Sequence, residues 1–86
     1  MKVNQIAPNQ LEILTDEFTF FQSYDTVIAK VNNDSGELCL DESKWNYSKT
    51  TSKFRNKFTG LSTDETKKGI DDGSIKLEDL NSDQGI

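Results

Sequence analysis

TVIAKVNNDSGELCLDE, residues 26–42, reads as two β-strands folded back on each other. In TVIAKV the apolar residues Val27, Ala29 and Val31 recur at every second position, and alternate side chains of a strand share one face. NNDSG, residues 32–36, is the turn. Asn and Asp side chains favour tight turns, and Gly36 supplies the left-handed backbone that a type I turn followed by a bulge requires. ELCLDE is the return strand, with Leu38 and Leu40 facing inward and Glu37, Cys39 and Asp41 facing away. This hairpin fixes the class of the fold, because every neighbouring segment has to be placed against it.

Upstream, LEIL (residues 11–14) and FTFF (residues 18–21) flank the polar triplet Thr15-Asp16-Glu17 and form a second hairpin. Phe18 and Phe20 fall on one face of their strand and Phe21 on the other. Residues 1–9 carry little pattern and are expected to be a flexible end, as is the polar tail 82–86. Downstream of Trp45 the apolar period changes from two to that of a helix. Ser48 is the cap, residues 49–59 the helix and Gly60 its stop. At 100° per residue, Phe54, Phe58 and Leu61 lie within about 40° of one another, a stripe fit to cover a sheet. Ser62 and Glu65 have the spacing of a capping box for a second helix, which Gly69 weakens and Gly73 ends. Ile75 and Leu77 then alternate as a short edge strand. The expected architecture is α+β. An antiparallel meander of about four strands packs against one amphipathic helix, with a second short helix near the C-terminus, in a single domain spanning residues 1–86.

Composition removes most chemistries. The chain has no histidine, so Ser-His-Asp and Cys-His arrangements and any zinc site using His are excluded. Its one cysteine, Cys39, leaves no intramolecular disulfide and no CxxC pair, and in mid-strand it reads as a small packing residue. The adjacent acids Asp41-Glu42, Asp64-Glu65 and Asp71-Asp72 sit at element ends, where capping and solubility account for them. A calcium-loop register that puts Gly73 at its sixth position would make Lys68 and Ile70 ligands, and neither offers an anionic oxygen. The glycines stand singly, with no phosphate-cradling Gly-rich loop. The expectation is a non-enzyme with no cofactor and no metal. The N-terminus lacks a signal-like run and no stretch approaches the roughly 20 apolar residues of a membrane span, so a cytoplasmic protein with no membrane contact is expected.

Charge separates two candidate binding surfaces. The net charge of −5 conceals a basic block, since residues 44–57 hold Lys44, Lys49, Lys53, Arg55 and Lys57 against no acid. Lys49, Lys53 and Lys57 form an i, i+4, i+8 stripe that could grip phosphates, with Trp45 and Tyr47 to stack on bases. The competing reading puts Trp45, Phe54 and Phe58 in the core and makes the lysines a solvated face. The acids Asp34, Glu37, Asp41, Glu42, Asp71 and Asp72 are the alternative contacts, suited to a basic partner. Overall acidity weighs against loose, sequence-blind binding to DNA or anionic lipid.

The order of FQSYDTVI (residues 21–28), a hairpin, Trp45 and then Thr50-Thr51-x-Lys53 resembles a family of small proteins encoded by bacteriophages, prophages and related mobile elements. The resemblance implies that Tyr24, Thr26, Trp45, Thr50, Thr51 and Lys53 are family positions, and it brings no established activity or site. With the small size and acidity, this setting points to a non-enzymatic accessory protein acting by protein–protein binding. A stoichiometric inhibitor or modulator of a host or defence enzyme would fit. The alternatives are a small nucleic-acid-binding module using the basic helix 44–57, and a minor virion or assembly component.

Overall fold

A computed structural model describes residues 1–81. Along the chain run β1 (Lys2–Ala7), β2 (Gln10–Leu14), β3 (Phe18–Ser23), β4 (Thr26–Asn32), β5 (Leu38–Asp41), α1 (Lys49–Thr59), α2 (Thr63–Asp72) and β6 (Ile75–Glu78). All six strands form one sheet in sequence order. The fold is α+β with two helices, as its residues predict. The expected four-stranded antiparallel meander exists as β2 to β5, but the sheet is larger and mixed. β1 adds an antiparallel strand at one edge, and β6 adds a strand parallel to β5 at the other. Residues 1–9 are therefore not a loose end, since Lys2 pairs with Leu14 and Gln5 with Leu11. The expectation for residues 82–86 lies outside the described residues.

The central hairpin forms for the reasons its sequence supplies. Gly36 takes φ 76° and its N–H donates to the Asn32 carbonyl at 2.8 Å. The Asn32 side chain accepts from the N–H groups of Asp34 and Ser35, at 2.8 and 3.0 Å. One detail departs from simple alternation. Phe21 pairs with Ala29 while Gln22 pairs with Val27, so Ile28 is the extra residue of a β-bulge. The bulge moves Val27 off the face of Ala29 and Val31 and turns Ile28 into the core. Val27 lies beyond the end of the β5 ladder, and the Asn81 carboxamide takes the place of a strand. Asn81 Oδ1 accepts from the Val27 N–H at 2.9 Å and Asn81 Nδ2 donates to the Val27 carbonyl at 3.0 Å.

One sheet face is covered. Phe21, Ile28, Ala29, Leu40 and Ile75 are buried there, and Trp45, Phe54, Phe58, Leu61 and Ile70 pack onto them from the helical segment. The Phe21 and Phe58 rings stack with centroids 5.7 Å apart. A fully buried Phe or Leu of this kind contributes about 2 kcal/mol. A parallel neighbour needs a crossover of a dozen or more residues, and the two helices provide it. At Gly69 the packing of α2 on β6 leaves no room for a side chain, because a Cβ there would lie 2.5 Å from Ile75 Cδ1. On the opposite face Phe18 and Phe20 lie 6.0 Å apart and half-buried. Lys30 Nζ sits 4.8 Å from the Phe18 ring and 3.8 Å from Glu78.

Candidate functional site

The start of α1 is built by one serine and several amides. Ser48 Oγ accepts from the Thr51 N–H at 3.1 Å, which closes the first turn. Thr51 is buried and shares a 3.0 Å hydrogen bond with Ser23 Oγ at the end of β3, pinning the helix start to the sheet. The N–H groups of Lys49 and Thr50 belong to the first turn and have no intrahelical acceptor. No acid stands in that turn. The segment before it and the exposed side of α1 enclose an open polar pocket of about 520 Å³, lined by Asn46, Tyr47, Ser48, Lys49, Ser52, Lys53, Asn56 and Thr63. None of these residues is acidic.

Arg55 lies beneath this pocket and is not the flanking surface cation that the sequence led us to expect. It is 0 % exposed, because Thr51, Phe54, Arg55 and Phe58 share the buried side of α1. The guanidinium sits 5.3 Å from the Trp45 ring, and Nη1 donates to the Trp45 carbonyl. Nη1 also reaches Asn46 Oδ1 at 3.3 Å and Ser52 Oγ at 3.4 Å, while Nη2 donates to Asn56 Oδ1 at 2.9 Å and Thr63 Oγ1 at 3.2 Å. Its Nε has no acceptor, and among the described residues no carboxylate lies within 4.0 Å of it. Burial pushes its pKa down from the usual arginine value, the direction expected of a cation removed from water without an ion-pair partner.

The other cations stay at the surface. Lys44, Lys49, Lys53 and Lys57 are exposed, and the ammonium groups of Lys44, Lys53 and Lys57 lie near aromatic rings. Lys44 Nζ is 5.4 Å from the Tyr47 ring, and Lys53 and Lys57 flank Phe54 at 5.5 and 5.4 Å. Tyr47 is itself 46 % exposed. Trp45, Phe54 and Phe58 are packed and the lysines point outward, so Trp45, expected as a base-stacking ring, is instead a packing residue, and Tyr47 is the exposed ring. Sequence reasoning missed Asn46, Ser52 and Thr63 as pocket residues. The spacing Thr51, Phe54, Arg55, Phe58 (i, i+3, i+4, i+7) is the signal that could have placed Arg55 inside.

The acidic candidates do not form one surface. Asp41 is a structural residue, 2 % exposed. Its Oδ2 accepts from the N–H groups of Ser43 and Lys44 at 3.2 and 2.9 Å, and its Oδ1 from the Leu80 N–H and Asn81 Nδ2 at 2.9 and 3.0 Å. It ties the end of β5 to the chain beyond β6 and offers no carboxylate to a partner. Asp34 and Glu37 flank the β4–β5 turn, and Asp71 and Asp72 end α2 next to the strand that pairs with Leu38. All four are exposed at one end of the sheet, with Glu37 paired to Lys76 at 3.4 Å. Hydrogen bonding from the Ser74 side chain and from its N–H, at 2.8 Å, holds the Asp72 carboxyl below the usual carboxylate value. Glu42 lies past the other end of β5. Cys39 is buried, and burial with the nearby Glu78 carboxylate pushes its thiol up to about 11, so it stays protonated and inert at neutral pH.

Residues 1–75 match the model of a protein family described as a family of unknown function, DUF8033. The chain belongs to that family. No curated protein and no solved structure matches it. Membership covers the whole basic segment and both helices, and the resembling block divides on structural grounds. Trp45 and Thr51 are tied into the packing, whereas Tyr24, Thr50 and Lys53 are exposed. Tyr24 adopts φ 56° in the two-residue turn between β3 and β4, and its N–H donates to Asn9 O at 2.7 Å. Among the described residues no helix is long and apolar enough to cross a membrane.

Proposed function

We propose that this protein is a non-enzymatic accessory protein of a bacteriophage or mobile element, and that it works by binding single-stranded nucleic acid on the face formed by residues 44–57. The observation that carries this reading is the acid-free pocket at the start of α1, flanked by Lys49 and Lys53 with the exposed Tyr47 ring beside it. Lysines spaced along a helix follow a phosphate backbone, and an exposed aromatic ring accepts a base by stacking without regard to sequence. The net charge of −5 and the neighbouring acids Asp64 and Glu65, which follow Thr63 at the start of α2, weigh against this, but no acid lines the pocket itself. Fluorescence anisotropy with labelled single-stranded DNA and RNA at low salt tests it. Binding should weaken steeply as salt rises, and the double variant Lys49→Glu with Lys53→Glu should abolish it while the circular dichroism spectrum is unchanged. Absence of binding at about tens of micromolar protein in low salt, where phosphate contacts are strongest, would sink the reading.

A second reading is a stoichiometric modulator of a host or defence enzyme. It is favoured by the exposed acids Asp34, Asp71 and Asp72 at one end of the sheet. Its sign is one stoichiometric host protein retained by the native chain and lost with Asp71→Lys plus Asp72→Lys.

A further inference from the structure

We propose that the pocket at the start of α1 is a binding site for a phosphoryl group. Asn46, Asn56 and Thr63 are its neutral donors, Lys49 and Lys53 its surface cations, and Arg55 the buried charge beneath. The proposal takes the 44–57 face as the binding face, as above, but it needs only the phosphate and no polymer.

Hydrogen-bond accounting comes first. Asn46 Oδ1 accepts from Arg55 at 3.3 Å and from Ser52 Oγ at 2.8 Å. Asn56 Oδ1 accepts from Arg55 at 2.9 Å. Thr63 Oγ1 accepts from Arg55 at 3.2 Å and from Asn56 Nδ2 at 3.1 Å. Each oxygen of this layer therefore already accepts at least one hydrogen bond from below or within. What they leave for the pocket is protons, namely the Asn46 amide, the second N–H of Asn56 and the Thr63 hydroxyl. Arg55 also fixes the orientation of both asparagines, since a flipped amide would point N–H groups at a guanidinium. A pocket with donors on its floor, two ammonium groups at its side and no lining acid selects for anions.

Charge comes second. A wholly buried guanidinium whose acceptors among the described residues are all neutral is an incomplete arrangement, and its bare Nε underlines this. An anion in the pocket would sit one side-chain layer away and complete it. The helix start adds the N–H groups of Lys49 and Thr50 and the positive end of the α1 dipole. Donors approaching from several directions suit a tetrahedral oxyanion better than a planar carboxylate. The pocket is also open enough for an ester substituent to leave through its mouth.

The test uses the full chain with inorganic phosphate, a 5′-mononucleotide and an unphosphorylated single-stranded oligonucleotide, at ionic strength matched with chloride. The melting temperature should rise with phosphate, in proportion to the logarithm of its concentration once the site is filled. Amide resonances of Lys49 and Thr50 and the side-chain NH₂ signals of Asn46 and Asn56 should shift with the same midpoint. Asn46→Asp is the decisive variant, because it supplies an internal carboxylate to Arg55. It should raise the melting temperature without phosphate and weaken phosphate binding by roughly tenfold or more. No saturable response up to about 50 mM phosphate, where even a millimolar site would be filled, overturns the proposal. So does an Asn46→Asp variant that binds phosphate as the native chain does. Response to the mononucleotide as well as to phosphate identifies a phosphomonoester as an acceptable source. Phosphate binding without oligonucleotide binding leaves this site standing and removes the nucleic-acid function, and the converse removes the pocket while the basic face stands.

Discussion

The two helices start in the same way and then diverge. α1 and α2 are both capped by serine, Ser48 and Ser62, each accepting an N–H from the third residue of its helix at 3.1 Å. α2 completes the cap internally. Glu65 accepts the Ser62 N–H at 2.9 Å, Asp64 stands beside it, and the positive end of the dipole meets acids from its own first turn. α1 has no acid in its first turn and instead begins with Lys49, where the dipole disfavours a cation, with Lys53 one turn on and Arg55 buried beneath. A helix that needs only to be stable is built like α2. The α1 start has no such internal acid, and the N–H groups of Lys49 and Thr50 have no intrahelical acceptor.

The comparison breaks most severely at Arg55. Arg55→Ala removes five hydrogen bonds and the support under Trp45, leaving the Trp45 carbonyl and the Asn46 and Asn56 oxygens without their buried donor. A loss of about 3 kcal/mol in urea denaturation is expected, with the pocket lost as well. An unchanged midpoint would mean that the guanidinium contributes nothing to the fold.

The caps should respond unequally. Ser62→Ala removes one half of a reciprocal pair and should cost about 1 kcal/mol by the same measurement. Ser48→Ala should cost at least as much, because α1 has no acid to share the load. If Ser48→Ala is the milder of the two, the first turn of α1 is held by its contact with the sheet through Thr51 and not by its cap.

The smallest effect is a pH dependence confined to α2. The Ser62 hydrogen bonds hold the Glu65 carboxyl below its ordinary value of 4.5. A depressed carboxyl contributes stability above its unfolded pKa, and that contribution fades as pH falls below 4.5 through the folded value. Amide exchange in the first turn of α2 should therefore quicken in that window, relative to its intrinsic rate, while the first turn of α1 stays level. Equal behaviour of the two helices would remove the electrostatic distinction between them.

Much of this molecule is legible in its residues, and the failures have physical causes. The hairpin around Gly36, both helix caps, both helix stops and the split of Phe18 and Phe20 from Phe21 depend on local geometry, which neighbouring residues fix. β1 escaped notice because an edge strand exposed on both sides carries little alternation, and Val3 is 51 % exposed. Asp41 read as one more surface acid, yet its value lies in Leu80 and Asn81, some forty residues onward. The exposed lysines of residues 44–57 were identified by charge alone. Asn46 before α1 and Thr63 at the start of α2 were not, because amides and hydroxyls announce no site until something orients them.

The sequence by itself determined the elements and their apolar faces, the absence of histidine-based chemistry, and the basic block at residues 44–57. Tertiary structure alone decided that β6 runs parallel to β5, that Asn81 completes a bulged strand, and that Arg55 is buried with no acid against it among the described residues. The reason is one of range. Turns, caps and amphipathic stripes are settled by residues a few positions apart, whereas the partner of a buried charge is settled by which surfaces meet when the two helices fold onto the sheet.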